Sequence, residues 1–264
     1  MRSPPLLRNK DPAAPSLFEP AALLREARRQ KRLAPAAVPP ACILDPDGDI
    51  VRRLRRTGEA LRFDAWPCYH TELDLFSLAG REVGIVGCVV GASFATLVAE
   101  ELFASGCRLL INLTSAGQIA SAGPPPYFVV IDRALRDEGT SYHYLPPAEF
   151  AAADPALVAL AMRALGSSGQ RVHQGAAWTT DAPFRETEAT IAAALARGIL
   201  AVEMEAAALY AFAQARQRPV LCFAHVTNQM AVEAGDFEKG EDSGATASLA
   251  VTAAVARAWL AAHG

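Results

Sequence analysis

Two glutamates stand two positions apart where an apolar run gives way to a row of alanines. The segment reads Val202-Glu203-Met204-Glu205-Ala206-Ala207-Ala208-Leu209-Tyr210, a pattern typical of a strand that ends and a helix that begins. Carboxylates at the exit of a buried strand are costly to desolvate unless they bind something. A glutamate near a helix start is also favoured by the helix dipole. The pattern therefore indicates either a binding site or an N-terminal helix cap, and both interpretations stay open.

Three other polar segments also follow apolar runs. They are residues 112–118, 178–186 and 227–230, and all are rich in hydroxyl, amide or carboxylate side chains. In α/β sheets, ligands bind at the carboxyl ends of the strands, in the loops that lead out. We therefore expect these loops to meet Glu203 and Glu205 at one edge of a sheet. A further segment, residues 235–241, has the composition of an exposed loop.

Apolar strands and helices alternate from about residue 41 onwards. Strands are predicted at residues 82–90, 108–113, 127–131, 171–178, 199–202 and 220–226, and helices at residues 92–104, 155–165, 187–197, 205–215 and 244–262. Strands that are apolar throughout must be covered on both faces. The pattern therefore predicts an α/β fold with three layers, α/β/α, around a central mixed, mostly parallel sheet. A chain of 264 residues can bury one such core.

The first 40 residues differ in composition from the rest, being rich in Pro, Ala and Arg. Pro20 suits the first turn of a helix, which is predicted at residues 20–33. We expect residues 1–40 to form an appendage with one basic helix. It would pack on a catalytic domain of residues 41–264 or on a partner subunit.

Composition excludes several classes of function. The net charge of −3 gives no strong field for nucleic acid or an anionic membrane. The five cysteines are scattered without CxxC or Cys/His spacing, so neither a metal site nor a disulfide framework is indicated. The N-terminus lacks the apolar stretch of a signal peptide, and no run approaches about 20 apolar residues. A cytoplasmic protein is expected.

The glutamate segment resembles the sugar-binding signature of the nucleoside phosphorylase superfamily. That family includes purine nucleoside and uridine phosphorylases and adenosylhomocysteine-type nucleosidases. Three further segments match its pattern in the same order, namely Leu113-Thr114-Ser115-Ala116-Gly117, Trp178-Thr179-Thr180-Asp181 and Val226-Thr227-Asn228. The resemblance covers about residues 41–262. It implies the phosphorylase fold, cleavage of the N-glycosidic bond of a nucleoside, and a homodimer or homohexamer. No cofactor is implied, with phosphate as a possible co-substrate.

The same resemblance implies roles for individual residues. Glu205 would bind the ribose hydroxyls, Met204 would pack against the sugar, and Glu203 would position the loop. Cleavage builds positive charge on the ribose, so a carboxylate bonded to its 2′-hydroxyl stabilises the transition state. The other candidates are the catalytic residues Ser115 and Asn228 and the substrate-binding residues Asn112, Thr114, His143, Trp178, Thr179, Thr180, Asp181, Phe184 and Arg185.

Four of these candidates have an ordinary structural alternative. Trp178 and Phe184 could stack on the base, but large aromatic residues more often belong to a core. His143 lies beside tyrosines, where a histidine is more often a packed core or interface residue. Arg185 could contact a pyrimidine carbonyl or be a surface residue near Glu186.

Asn228 stands where purine-cleaving members of the family carry an aspartic acid. An amide cannot donate a full proton, but it can hydrogen-bond a carbonyl or a ring nitrogen. Uridine phosphorylases also have asparagine at this position. The resemblance therefore favours a pyrimidine or 6-oxopurine nucleoside over a 6-aminopurine nucleoside.

The family's phosphate-binding arginines have no counterpart at their usual places. Those places are the turn Leu44-Asp45-Pro46-Asp47-Gly48-Asp49, Asn112, and the segment Cys68-Tyr69-His70. Carboxylates repel phosphate, so phosphate and water both stay open as acceptor. A hypothesis that would restore phosphate binding brings in an arginine from elsewhere, namely Arg25, Arg28, Arg29, Arg133 or Arg136.

The sequence leaves two rival functions beside nucleoside cleavage. A non-catalytic nucleoside-binding protein on the same fold is favoured by the missing arginines and by Asn228. A nicotinamide-dependent oxidoreductase is disfavoured, because no Gly-x-Gly-x-x-Gly turn follows an early strand.

Overall fold

One mixed sheet organises the computed structural model of this chain, which describes residues 4–78, 80–229 and 237–263. Its strands are β1 (Ala41–Asp45), β2 (Ala60–Arg62), β3 (Asp74–Leu78), β4 (Arg81–Gly87), β5 (Leu109–Gln118), β6 (Tyr127–Asp137), β7 (Phe150–Ala152), β8 (Val172–Thr180), β9 (Ile199–Glu203) and β10 (Val220–Asn228). The helices are α1 (Pro20–Lys31), α2 (Asp49–Arg56), α3 (Ala92–Ala104), α4 (Pro155–Leu165), α5 (Glu188–Leu195), α6 (Ala206–Arg216) and α7 (Ala245–His263).

Half of the sheet closes on itself. The strand order is β10-β6-β8-β9-β5-β1-β4-β3-β2, and β10 also pairs with β5. Strand β5 is the shared member, parallel to β1 and β10 and antiparallel to β9 at its last residues. Gly117 of β5 lies opposite Val202 of β9. The ends of β5 and β9 therefore meet, which brings residues 112–118 towards Glu203.

The predicted α/β architecture is confirmed, and its central strands are mostly parallel. Residues 114–118 were predicted to be a loop, and this was wrong. They continue β5 because β10 and β9 supply backbone partners for them. Thr179 and Thr180 likewise belong to β8. Strand β4 ends at Gly87, before the predicted residue 90, because Cys88 has a positive φ of 62°.

Helix α7 carries much of the apolar packing at one face of the sheet. By length and composition, Glu241–His263 could cross a membrane, although the sequence was not expected to contain an apolar run of that size. Half of the apolar stretch is buried inside the protein. The helix packs on α4, α2 and strands β1 and β5, with Trp259 and Leu260 buried. These contacts are those of a core helix of the domain.

The predicted basic helix forms α1 and packs on α3. Leu24 and Ala27 are its buried residues. It ends at Lys31 because Arg32 adopts a left-handed conformation. The Lys31 ammonium donates to the Cys68 carbonyl at 2.5 Å, so the helix is attached to the domain by apolar and polar contacts.

The hydroxyl of Tyr210 ties α6 to two strands. It donates to the Ile131 carbonyl at 2.5 Å and accepts from the Cys222 backbone N–H at 2.9 Å. Tyr210 is fully buried, so Tyr210→Phe leaves two buried backbone groups without partners. We expect the free energy of unfolding to fall by about 1–3 kcal/mol in urea denaturation. The control Tyr69→Phe removes an exposed bond to Gln30 and should change it by less than about 0.5 kcal/mol; equal losses would contradict the assignment.

Candidate active site

Glu205 is a buried carboxylate with one unsatisfied oxygen. It lies between β9 and α6 and is 0% exposed. Its Oε1 accepts a hydrogen bond from the Gly91 backbone N–H at 2.7 Å. Its Oε2 has no hydrogen-bond partner among the residues described. A buried carboxylate oxygen without a donor costs free energy, so this atom indicates the place of a ligand donor.

Glu203 has a different role, at the start of α6. Its Oε2 accepts from the backbone N–H groups of Glu205 at 2.7 Å and Ala206 at 2.8 Å. Its Oε1 accepts from the Thr179 hydroxyl, whose oxygen in turn accepts from the Ala207 N–H at 2.9 Å. The first N–H groups of a helix have no partner within it. Glu203 therefore caps the start of α6, whereas the side chain of Glu205, the N-cap residue, makes no cap hydrogen bond.

The two glutamates share one site electrostatically. Burial raises the pKa of Glu205 to about 8, and the charge of Glu203 raises it as well. Burial also raises the pKa of Glu203. The hydrogen bonds that it accepts from the Thr179 hydroxyl and from two backbone N–H groups lower this pKa, because they favour the ionised form. Glu203 accepts three hydrogen bonds and Glu205 accepts one from the backbone. The donors to Glu203 therefore favour its ionised form more than the single backbone donor favours that of Glu205.

Strand β5 supplies two polar side chains on the face nearest Glu205. The Thr114 hydroxyl lowers the pKa of Glu205. Asn112 points to the same face by strand alternation. It is 0% exposed, and neither its nitrogen nor its oxygen has a partner within the described ranges. An unsatisfied amide therefore lies on the same face of β5 as Thr114.

The turn after β1 connects to β5 through its carboxylates. Asp47 Oδ2 accepts from the Ser115 backbone N–H at 2.9 Å. Asp49 Oδ2 accepts from the Lys239 ammonium at 2.7 Å, and that ammonium is 3.5 Å from Asp47 Oδ2. Lys239 reaches this position because the Glu238 backbone N–H donates to the Thr227 carbonyl at 3.0 Å. Asp47 and Lys239 were not predicted as site residues.

Asn228 ends β10 beside the same region. It lies opposite Gly117 of β5, is nearly buried, and donates to the Thr227 hydroxyl at 3.2 Å. His225 on the same strand stacks on Phe128 with ring centroids 4.4 Å apart. Burial lowers the pKa of His225 to about 4, so it is neutral at physiological pH. Met230, the last residue of the predicted loop 227–230, lies outside the described residues.

Comparison with known proteins decides the family. The family model of the phosphorylase superfamily matches residues 40–259. The chain belongs to the phosphorylase superfamily. It is 32% identical over 136 residues to a DeoD-type purine nucleoside phosphorylase of Myxococcus xanthus (strain DK1622), a match that covers 51% of this chain and 57% of that relative. A DeoD-type purine nucleoside phosphorylase of Roseobacter denitrificans is 27% identical over 175 residues, covering 62% of this chain and 70% of the relative.

Solved structures of this superfamily share the fold. A uridine phosphorylase from Vibrio fischeri ES114, complexed with 6-hydroxy-1-naphthoic acid, gives a TM-score of 0.71 at 20% identity over 86% of this chain and 97% of that chain. A purine nucleoside phosphorylase from Toxoplasma gondii in complex with immucillin-H gives 0.71 at 15% identity, over 84% and 90%. The phosphorylase-like fold is thereby confirmed.

Several candidates from the superfamily pattern have other contacts. Trp178 packs in a small core cluster with Ile199 and Val202 and donates its indole N–H to Asp137 at 3.0 Å. Asp181 accepts from the Gly139 N–H at 2.9 Å, and the Thr180 hydroxyl accepts from the Ala182 N–H at 3.2 Å. Trp178 is therefore a buried core residue.

Three more candidates are exposed. Phe184 is 99% exposed, and Arg185 follows it on the short helix Pro183–Arg185. His143 is exposed and 2.9 Å from the Lys10 ammonium. Met204 is half-buried next to Glu205. Met204 is next to the buried Glu205 in the chain. No described contact brings Phe184, Arg185 or His143 to that carboxylate.

Four of the five arginines invoked for phosphate binding have contacts elsewhere, whereas the buried Nε of Arg28 has no hydrogen-bond partner among the described residues. Arg136 is buried and donates to the Ser141 hydroxyl and to the carbonyls of Leu145 and Pro146. Arg133 lies over the Phe150 ring at 5.0 Å. On α1, Arg25 and Arg29 both pair with Glu26. Arg136 is therefore a structural residue, with its donors used locally.

Proposed function

We propose that this chain cleaves the N-glycosidic bond of a nucleoside. The observation that carries the proposal is the unpartnered Oε2 of buried Glu205, at the segment that resembles the family's sugar-binding signature. Ribose hydroxyls are donors that would satisfy this oxygen. The relatives are named purine nucleoside phosphorylase and uridine phosphorylase, which supports a nucleoside as substrate.

The chemistry follows from the position of Glu205. As the bond from C1′ to the base nitrogen weakens, positive charge grows on the ribose. An ionised Glu205 that accepts from a ribose hydroxyl stabilises this charge, and the effect is large because the carboxylate is buried in a medium of low dielectric. Glu203 fixes the backbone of Glu205, because its carboxylate accepts a hydrogen bond from the Glu205 N–H. The site is thus preorganised for the charge of the transition state.

The amide side chain of Asn228 indicates which class of nucleobase the substrate carries. Its amide hydrogen-bonds a carbonyl oxygen or a ring nitrogen and cannot supply a full proton. A base that leaves as a stabilised anion fits such a residue. We therefore propose pyrimidine or 6-oxopurine nucleosides as substrates.

The direct test is turnover of uridine, inosine and adenosine with detection of free base. Base release from uridine or inosine that exceeds release from adenosine is expected. A thermal-shift measurement on the same nucleosides runs in parallel. Stabilisation by a nucleoside without any base release would contradict catalysis. It would support instead a nucleoside-binding protein on the same fold.

Nucleoside affinity should depend on pH through Glu205. Ribose donors favour the ionised carboxylate, whereas burial holds the pKa of the free protein at about 8. Below that pH, binding must expel a proton, so the affinity is weaker. We expect Kd to fall by up to about tenfold per pH unit as pH rises towards about 8, and to level off above it.

Calorimetry in two buffers of different ionisation enthalpy measures this proton release directly. Glu205→Gln is the control, because other buried groups such as Asp45, whose pKa burial raises to about 7, still titrate in it. Affinity of the wild type that does not change with pH would contradict the assignment.

A further inference from the structure

The junction between β4 and α3 reaches Glu205 from another part of the fold. It consists of residues 88–91, and Gly91 is the N-cap residue of α3. The Gly91 backbone N–H donates to Oε1 of Glu205 at 2.7 Å, although the two residues are 114 positions apart. Oε2 of the same carboxylate has no partner in the described part of the chain. The Gly91 N–H therefore determines which oxygen the protein engages and which is left for a ligand.

The backbone conformation of Gly91 makes this contact depend on glycine. Its φ is 95° and its ψ is 147°, a combination that residues with a side chain rarely adopt. A Cβ atom added at this position would meet no atom within 4 Å, so space is not what selects glycine here. Rotation about φ turns the preceding peptide plane, which carries the N–H, relative to α3. A negative φ would therefore turn the N–H away from Glu205.

Both ends of the junction are held in place. At its start, the Cys88 backbone N–H donates to the Asp45 carbonyl of β1 at 3.0 Å. At its end, the Gly91 carbonyl accepts from the Ala95 N–H at 2.9 Å, and Ala92 and Ala95 are fully buried on α3. The fold therefore directs the N–H of Gly91 before any ligand binds. A donor fixed in this way does not have to reorganise when charge develops.

The ionised form of Glu205 needs such donors, because its surroundings oppose it. Burial raises the pKa of Glu205, and the charges of Glu203 on β9 and of Asp47 in the turn after β1 raise it further. The hydrogen bonds from the Gly91 N–H and from the Thr114 hydroxyl lower this pKa. A hydroxyl can rotate to another acceptor, whereas a backbone N–H held at both ends cannot. Gly91 is therefore the fixed donor of the pair.

We propose that Gly91 is a positioning residue for nucleoside cleavage, because its N–H holds Oε1 of Glu205 and directs Oε2 to the ribose hydroxyls. This inference rests on the proposed function and adds a residue that was not predicted as part of the site. The held oxygen keeps the carboxylate in one orientation. The second oxygen then meets the ribose in the orientation that stabilises its growing positive charge.

The first test replaces Gly91 by alanine. Gly91→Ala should lower kcat/KM for nucleoside cleavage by about 10–100-fold, because a donor to a charged group is lost. The same loss raises the pKa of Glu205, so the pH above which nucleoside affinity is constant should rise by about one unit or more. The matched control is Gly58→Ala, since Gly58 also has a positive φ, 72°, and no atom within 4 Å of an added Cβ. It should change neither quantity, and equal changes in the two variants would overturn the inference.

The second test asks whether Gly91 acts through Glu205. In the Glu205→Gln background, Gly91→Ala should lower kcat/KM by about threefold or less, because the charged partner of the N–H is gone. A loss of the same size in both backgrounds would show that Gly91 acts on the fold in general and not on this carboxylate.

A third measurement uses the wild type and does not depend on the stability of any Gly91 variant. The amide proton of Gly91 should shift downfield in NMR spectra as Glu205 ionises, with a midpoint at about pH 8, because a charged acceptor strengthens the hydrogen bond. This titration should be absent from Glu205→Gln, whereas shifts caused by Asp45, whose pKa burial raises to about 7, should remain. A Gly91 signal that titrates equally in both proteins, or in neither, would contradict the inference. No base release from the wild type, with the titration intact, would instead overturn the proposed cleavage, and Gly91 would then position Glu205 for binding alone.

Discussion

Glu205→Gln is expected to lower kcat/KM for nucleoside cleavage by about 10²–10³-fold. Glutamine keeps the shape of the side chain, and its oxygen can still accept from the Gly91 N–H. It removes the negative charge that the ribose cation requires. The loss should appear mainly in kcat, because the charge interaction strengthens only as the transition state forms. Steady-state kinetics on the best nucleoside substrate measures it.

Stability should move in the opposite direction in this variant. The raised pKa of Glu205 means that the folded protein binds a proton more tightly than the unfolded chain. The wild type therefore loses stability as pH rises from about 4.5 towards 8, where the buried carboxyl must ionise. Glu205→Gln does not pay this ionisation penalty. Above pH 8 its free energy of unfolding should equal or exceed that of the wild type.

Glu101→Gln is the matched control for both measurements. Glu101 is also buried, with both carboxylate oxygens unpartnered in the described structure, and burial raises its pKa. It lies on α3, and its pKa responds to Cys68, His70 and Lys31 rather than to Glu205. The control should stabilise the protein at high pH without a loss of kcat/KM. A comparable kinetic loss in both variants would contradict a specific role for Glu205.

Periodicity predicted the interior elements of this fold well. Helix α4 was predicted at residues 155–165 and observed at Pro155–Leu165, because Pro155 and the apolar spacing define it locally. Strands β5 and β8 were predicted too short. Their last residues are mostly small or polar, Thr-Ser-Ala-Gly-Gln in β5 and Thr-Thr in β8, a composition typical of a loop until neighbouring strands supply backbone partners. The sheet closes through the pairing of β5 with β10, which lie far apart in the sequence. Local periodicity does not predict such a pairing.

The candidate site was predictable only in part, for a similar reason. The sequence singled out the strand exit with Glu203 and Glu205, because two carboxylates after an apolar run are unusual. It could not divide the two roles, since the division depends on which backbone N–H groups each carboxylate reaches. Lys239 lies 190 positions from Asp49, its ion-pair partner. Only the folded chain brings these two charges together.

Glu203→Ala is expected to lower the free energy of unfolding by about 2–5 kcal/mol. The substitution leaves the N–H groups of Glu205 and Ala206 buried without an acceptor and deprives the Thr179 hydroxyl of its partner. Each unsatisfied buried donor costs about 1–3 kcal/mol, and Glu203 is only 3% exposed. Chemical denaturation at neutral pH measures the change.

Two further variants test whether the loss of stability in Glu203→Ala comes from the buried helix cap. Glu203→Gln retains a carbonyl oxygen for the two backbone donors and should lose about 1.5 kcal/mol or less. Asp154→Ala removes an exposed helix cap and should lose about 1 kcal/mol. Glu205 is the N-cap residue of α6, so the Glu203→Ala protein should also lose turnover when it is still folded. Losses in Glu203→Ala no larger than those in Asp154→Ala would show that Glu203 does not hold the start of α6, and the fixed position of Glu205 would need another cause.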